Sequence, residues 1–279
     1  MTKELNFESP SFFKRIKGML GVDFYRLFHT PLFYIFLAIA AVIPAMILGT
    51  ASIKDPTTGK ATAALYTNTW NIIAANTPIY AVSSIAEYAN MNMVFIFGGI
   101  MVSIFIGHDY KSGYVKQLFT THAKKQDYMI SKSLTCAFAM ACMCVTYTLG
   151  AVGGGFFSGA SFKVNVGNLI IAILGKMIMS LGWASLYTFL NIIFRKYFGI
   201  SIASSFFFGT GILIIGAAAI VGMTPLPDFV LNIFLYGSSV YACLSGNILT
   251  LLVCIACSAF WWIAYVWLGT RVLSKSDVY

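Results

Sequence analysis

The sequence predicts an all-α integral membrane protein, a single domain over residues 1–279 with six transmembrane helices. First, 59% of the residues are hydrophobic and only 10% are charged, whereas soluble domains carry about 25% charge. Second, the apolar runs are long and do not alternate as β-barrel strands do. Third, each run approaches the roughly 20 residues that a helix needs to cross the hydrocarbon core.

The segment 11–29 predicts an amphipathic helix before the first span. Apolar side chains recur there at spacings of three and four, with basic side chains between them. These positions include Phe12, Lys14, Arg15, Ile16, Leu20 and Arg26. Such a helix lies along a leaflet that carries anionic lipid, so membrane lipid is an expected partner. The alternative, a basic flank of the first span, is compatible with this interpretation.

Six apolar runs predict the spans. They cover residues 32–50, 88–106, 133–157, 169–194, 200–221 and 247–270. Pro31 separates the amphipathic helix from the first span, and Pro44 predicts a kink within that span. The segment 223–246 contains Pro225 and Pro227 and is too interrupted to cross. We expect it to form a re-entrant outer hairpin of two short helices before the last span.

A polar loop at 107–132 separates the second and third spans and cannot lie in lipid. It holds five lysines, Lys111, Lys116, Lys124, Lys125 and Lys132. A short helix over about residues 112–121 would place Val115, Leu118 and Phe119 on one face, as a docking ridge for a soluble partner. The alternative is a solvated loop whose lysines only set the topology.

The distribution of basic residues predicts the orientation. Fourteen of the 18 Lys and Arg residues fall on the side that holds both termini and the polar loop. The opposite side holds Lys54, Lys60 and Lys163. By the positive-inside rule, both termini and the loop are expected in the cytoplasm, in a multi-pass protein of the cell membrane.

Several function classes lack support in the sequence. No G-x-x-x-x-G-K-[ST] motif occurs, so ATP binding by a P-loop is not expected in this chain. No H-E-x-x-H, no G-x-S-x-G and no carboxylates paired at helical spacing occur in the spans, so we expect neither catalytic residues nor a metal site. The net charge of +9 follows the topology and does not predict nucleic-acid binding.

The polar loop resembles the loop after the second span of ABC transporter permeases of the second exporter type. In that family an acidic residue, a Gly-Thr pair, a leucine-containing helix, an Arg and a Lys follow in order. The matching residues here are Asp109, Gly113, Leu118, Lys125 and Lys132. Tyr114 replaces the usual Thr, Lys125 the usual Arg and Asp109 the usual Glu. The order of elements along the whole chain is also similar, and small permeases linked to antimicrobial-peptide immunity and drug efflux are nearest in size.

The resemblance implies a transport subunit that is not itself an enzyme. Two such permeases, identical or homologous, would pair, and two P-loop ATPase subunits would bind ATP and Mg²⁺ and grip the loops from the cytoplasm. The cargo would be lipophilic or amphipathic, such as a peptide antibiotic or a drug, and would move outward. The residues implied in coupling are Asp109, Gly113, Tyr114, Val115, Lys116, Leu118, Phe119, Lys125 and Lys132.

The same resemblance places a cargo path along the second and fifth spans at the permease interface. Its candidates are Asn92, Phe95, Ser103, Lys176, Ser201, Ser205, Phe207 and Thr210, of which Lys176 belongs to the fourth span. For the serines and the threonine, ordinary helix packing is the alternative. Lys176 would either line the path or snorkel to the outer interface.

Two other function classes stay open. One is an ion-coupled secondary carrier that uses Lys176 and Glu87, although residues 1–140 and 141–279 do not resemble each other as repeated carrier halves would. The other is a regulatory membrane subunit that docks a cytoplasmic partner without an ATPase.

Overall fold

The computed structural model describes residues 11–50, 52–54, 61–63, 85–120, 123–157, 166–195, 197–213, 217, 228–244 and 248–275. These residues are almost entirely helical. The helices are α1 (Phe12–His29), α2 (Pro31–Thr50), α3 (Ile85–Lys111), α4 (Tyr114–Thr120), α5 (Lys125–Phe157), α6 (Val166–Ile193), α7 (Phe198–Gly209), a 3-10 helix (Asp228–Ile233), α8 (Leu235–Leu244) and α9 (Ile248–Lys275). The exception is a pair of short antiparallel strands, β1 (Ser52–Lys54) and β2 (Ala61–Ala63), in the connection between α2 and α3, part of which we expect from the sequence to form a short outer helix or to lengthen the second span.

The prediction of membrane-spanning helices is confirmed, but the predicted number of six is not. Four apolar segments in the described residues are long enough to cross a bilayer: Met93–Lys111, Lys125–Gly154, Leu169–Ile193 and Ile248–Lys275. The pair α1 and α2, bent by 64°, gives a fifth candidate. Within the predicted span 200–221, helix α7 ends at Gly209 and a turn follows at Thr210 and Gly211, and most of the remaining residues lie outside the described part.

The predicted boundary at Pro31 is observed. Helix α1 ends at His29, Thr30 is extended, and α2 begins at Pro31. Proline suits the first position of a helix because its missing N–H would have no partner there. Helix α2 then continues through Pro44, where the sequence predicts a kink.

Two short helical elements precede α9, as the interrupted pattern of 223–246 predicts. The 3-10 helix and α8 follow each other directly, and residues 235–240 are buried. The indole Nε1 of Trp183 in α6 donates to Ser239 Oγ at 2.9 Å, and Trp261 Nε1 in α9 donates to the carbonyl oxygen of Ile233 at 2.7 Å. These bonds hold the short elements against two spanning helices. Their placement on the outer side remains a prediction.

The helices pack around a stack of aromatic side chains, and α2 and α5 approach each other closely at one side of the bundle. Trp183 stacks between Phe95 and Tyr187, with ring centroids 5.2 and 5.6 Å away. At the side, α2 and α5 approach so closely that a Cβ on Gly154 would lie 2.6 Å from the Cα of Ala45. Small residues permit such backbone contact between membrane helices.

Candidate functional site

A fully buried ammonium group lies between two carboxylates where α1, α3 and α5 meet. Lys132 Nζ is 2.6 Å from Asp23 Oδ1 and 2.6 Å from Asp109 Oδ2. All three side chains are excluded from solvent. A buried charge is costly unless it is paired, so each of these three groups is stabilised by its partners.

Two further groups complete this site. Arg26 Nη2 donates to Asp109 Oδ1, and Ser131 Oγ donates to Asp23 Oδ2 at 2.6 Å. We call Asp23, Arg26, Asp109 and Lys132 the charge cluster. Its two positive and two negative charges sum to zero, which suits burial.

Aromatic rings surround the positive members of the charge cluster. The Arg26 guanidinium lies 4.1 Å from the centroid of the Tyr114 ring, and Lys132 Nζ lies 4.9 Å from that of Phe105. Burial, together with the nearby charge of Asp23, raises the pKa of the Tyr114 hydroxyl. Tyr114 therefore stays neutral at physiological pH, and its ring face attracts the guanidinium.

The helices place the members of the charge cluster by their local geometry. Asp23 lies one turn from Leu27 on the buried face of α1, and both side chains are buried. Asp109 lies in the last turn of α3, where a carboxylate opposes the helix dipole. The cations of Arg26 and Lys132 offset that cost.

Sequence reasoning identified three members of the charge cluster and missed the fourth. Asp109 and Lys132 were predicted as coupling residues, and Arg26 as part of the amphipathic helix. Asp23 was not singled out. The sequence does contain an indication of its role. Asp23 is a carboxylate that falls between Leu20 and Leu27 on the apolar face of a basic helix, where a charged side chain is unexpected.

Two more contacts join the start of α5 to other helices, one to α1 and one to the last turn of α9. Arg15 Nε lies 2.7 Å from Asp127 Oδ2, and Lys125 Nζ donates to the carbonyl oxygen of Leu273 at 2.6 Å. A lysine suits that position because the last carbonyls of a helix lack backbone partners. Helix α1, the start of α5 and the end of α9 therefore lie at the same end of the molecule.

Helix α4 packs its predicted docking ridge partly against the protein itself. Gly113, with φ of 73°, makes the turn before it. Val115 is buried, while Leu118 and Phe119 are half-buried, with the Phe119 ring centroid 5.7 Å from that of Tyr128. The face left exposed carries Lys116 and Gln117.

Some of the residues predicted on the amphipathic helix α1 pack against the protein, and others are exposed. Phe12 and Lys14 are exposed, whereas Ile16 and Leu20 are half-buried. Ile16 packs beside the small core that contains Val115. The helix is thus bound to the protein by apolar packing, by Arg15 and by the charge cluster.

The predicted cargo-path serines come together in a buried hydrogen-bond network. Ser103 Oγ lies 2.9 Å from Ser205 Oγ and accepts from Asn191 Nδ2 at 3.1 Å, and Ser201 Oγ donates to Asn191 Oδ1. Asn191, in α6, was not predicted. The network joins α3, α6 and α7 and satisfies these groups within the chain, as helix packing requires.

The remaining cargo-path candidates differ in their exposure to solvent. Phe95 is buried against Trp183, whereas Phe207 is exposed on α7. Thr210 is half-buried and donates to the carbonyl oxygen of Phe207 at 2.8 Å. The side chain of Asn92 lies outside the described part.

Lys176 belongs to α6, and its side chain is 8% exposed and directed towards α5. Its Nζ is 5.8 Å from the centroid of the Tyr147 ring. Glu87, its proposed partner in a carrier, belongs to α3, but its side chain is outside the described set. Among the described residues, no group of three or more His, Cys, Asp or Glu side chains could hold a metal ion.

Comparison with protein-family models finds no match, and comparison with curated proteins finds none either.

Proposed function

We propose that this chain is the membrane-spanning permease subunit of an ATP-driven exporter of the second ABC type. ATP hydrolysis is assigned to separate P-loop ATPase subunits, and a second permease of the same or a homologous sequence completes the path. The proposed cargo is lipophilic or amphipathic, such as a peptide antibiotic or drug, and moves outward across the cell membrane. Both termini and α4 then face the cytoplasm.

The charge cluster is the observation that carries this proposal. It ties α1 to α3 and α5, and its Arg26 lies against Tyr114 at the start of α4. A partner that presses on α1 or α4 therefore acts on a unit joined to two spanning helices. This is the mechanical arrangement that a transporter driven from one face requires, because the partner must shift the spans between two states that bind cargo differently.

Lys176 supports a second candidate, an ion-coupled carrier. An ionisable side chain buried within a membrane helix is costly and commonly lies on a transport path. In that case Lys176 would be the coupling group, and no ATPase would be needed. A regulatory subunit that docks a partner at α4 is the third possibility.

Co-purification from the native membrane tests the proposal. The tagged protein is solubilised and the retained proteins are identified by mass spectrometry. We expect a P-loop ATPase with the natural sequence, and about tenfold less of it with the double variant Lys116→Glu/Gln117→Glu, equivalent to about 1.4 kcal/mol of binding energy. These residues are exposed, so their replacement spares the packing that Leu118 and Phe119 provide.

The matched control is Lys275→Glu, which reverses an exposed charge at the end of α9. It should retain the ATPase. Absence of any P-loop ATPase from the natural protein would overturn the exporter proposal. Transport that then fails on Lys176→Met would favour the carrier.

A further inference from the structure

A cavity of about 290 Å³ lies where α1 meets α2 and the end of α3. One part of its wall is polar, with Arg26, His29, Thr30 and His108. The other part is apolar, with Leu32, Ile104 and Phe105. Both histidines are exposed, so the cavity is open to the exterior.

The polar wall favours an anion. None of the described residues that line the cavity is a carboxylate. His29 Nδ1 donates to the carbonyl oxygen of Tyr25 at 2.8 Å, and in the imidazolium form of His29 the Nε2–H is left to donate to an anion. Arg26 also lines the cavity; its Nη2 donates to Asp109, and its buried Nη1 has no hydrogen-bond acceptor among the described residues.

The position of the cavity identifies the source of the anion. Helix α1 is amphipathic and basic, α2 is apolar, and they diverge by 64° at Thr30 and Pro31. A surface helix joins a spanning helix at the level of the lipid headgroups. We propose that the cavity binds the anionic headgroup of a phospholipid, with its phosphate at His29 and His108 and the start of an acyl chain along Leu32, Ile104 and Phe105.

The combination of a polar and an apolar wall favours a phospholipid over a free anion. Inorganic phosphate would use the histidines and Arg26 but would leave the apolar wall uncovered, whereas a phospholipid covers both. The volume is near the lower limit for ligand cavities, so the headgroup end enters and the rest of each chain stays in the bilayer. The site needs no ATPase, so it stands or falls separately from the proposed exporter function.

Native mass spectrometry of the delipidated protein in detergent tests this proposal. The probes are dioctanoyl phosphatidylglycerol, dioctanoyl phosphatidylcholine and inorganic phosphate. We expect one saturable phosphatidylglycerol per chain, bound more tightly than either other probe. His29→Gln/His108→Gln should weaken its binding about tenfold, because two charge-assisted hydrogen bonds are lost. Lys14→Gln, an exposed change on the same helix outside the cavity, should leave it within about twofold.

Three outcomes would overturn the lipid site. Equal binding of phosphatidylglycerol and phosphatidylcholine would remove the preference for an anionic headgroup. Displacement of phosphatidylglycerol by equimolar inorganic phosphate would identify a site for free anions. Unchanged phosphatidylglycerol binding in the double histidine variant would place the lipid elsewhere. The first two use only the natural protein, so the proposal remains testable even if the variant misfolds.

Discussion

Replacing Lys132 with methionine is expected to lower the free energy of unfolding by about 3–5 kcal/mol. The change leaves Asp23 and Asp109 buried without the ammonium that lies 2.6 Å from each. Arg26 still pairs with Asp109, so Asp23 loses the most. The measurement is thermal unfolding of the detergent-solubilised protein, followed by the loss of helical circular dichroism.

Lys116→Met is the matched control for this loss of charge, because Lys116 is exposed on α4. Its effect should stay within about 0.5 kcal/mol. A second variant, Asp23→Asn/Lys132→Met, should recover part of the stability because it removes a charge of each sign. Equal melting temperatures for Lys132→Met and Lys116→Met would show that the charge cluster does not hold α1 to the spanning helices.

Replacing Gly150 with alanine is expected to cost about 1–3 kcal/mol through overpacking. A Cβ at this position would overlap the carbonyl oxygen of Ala41 in α2, so the backbones of α2 and α5 must separate. The intrinsic helix propensity acts in the opposite direction, because alanine is favoured over glycine within a helix by about 1 kcal/mol. Thermal unfolding of the purified variant measures the net effect.

Gly153→Ala provides a control on the same helix, because nothing lies within 4 Å of the Cβ that it adds. It should be neutral or slightly stabilising. If Gly150→Ala and Gly153→Ala unfold at the same temperature, the close contact of α2 with α5 is not a source of stability.

The sequence predicted the class of fold because the bilayer requires it: long apolar runs must be helices. The number of spans was less predictable. Residues 200–221 read as one apolar run, yet α7 ends at Gly209 and Gly211 adopts φ of 74° against the ring of Tyr236. Apolar composition alone does not distinguish a glycine within a helix from one that makes a turn.

The candidate site was predicted in part. Asp109 and Lys132 lie within the segment that the sequence predicts to be one polar loop, and both match the charges of the resembling family there, although the structure places them in α3 and α5. The pairing of Lys132 with Asp23 joins residues 109 positions apart in the sequence, and no local pattern reports such a contact. The apolar face formed by Leu118 and Phe119 could not be assigned from the sequence for a similar reason. An apolar helix face can pack against the protein's own core as well as against a partner.

Site-specific photocrosslinking at Gln117 in native membranes tests the central claim most directly. Gln117 lies on the exposed face of α4, and Leu149, exposed on the membrane-spanning part of α5, is the control position. The proposed function predicts that a crosslinker at Gln117 captures a P-loop ATPase and that one at Leu149 does not. A crosslinker at Gln117 that captures no ATPase, in membranes where the protein is folded, would contradict it.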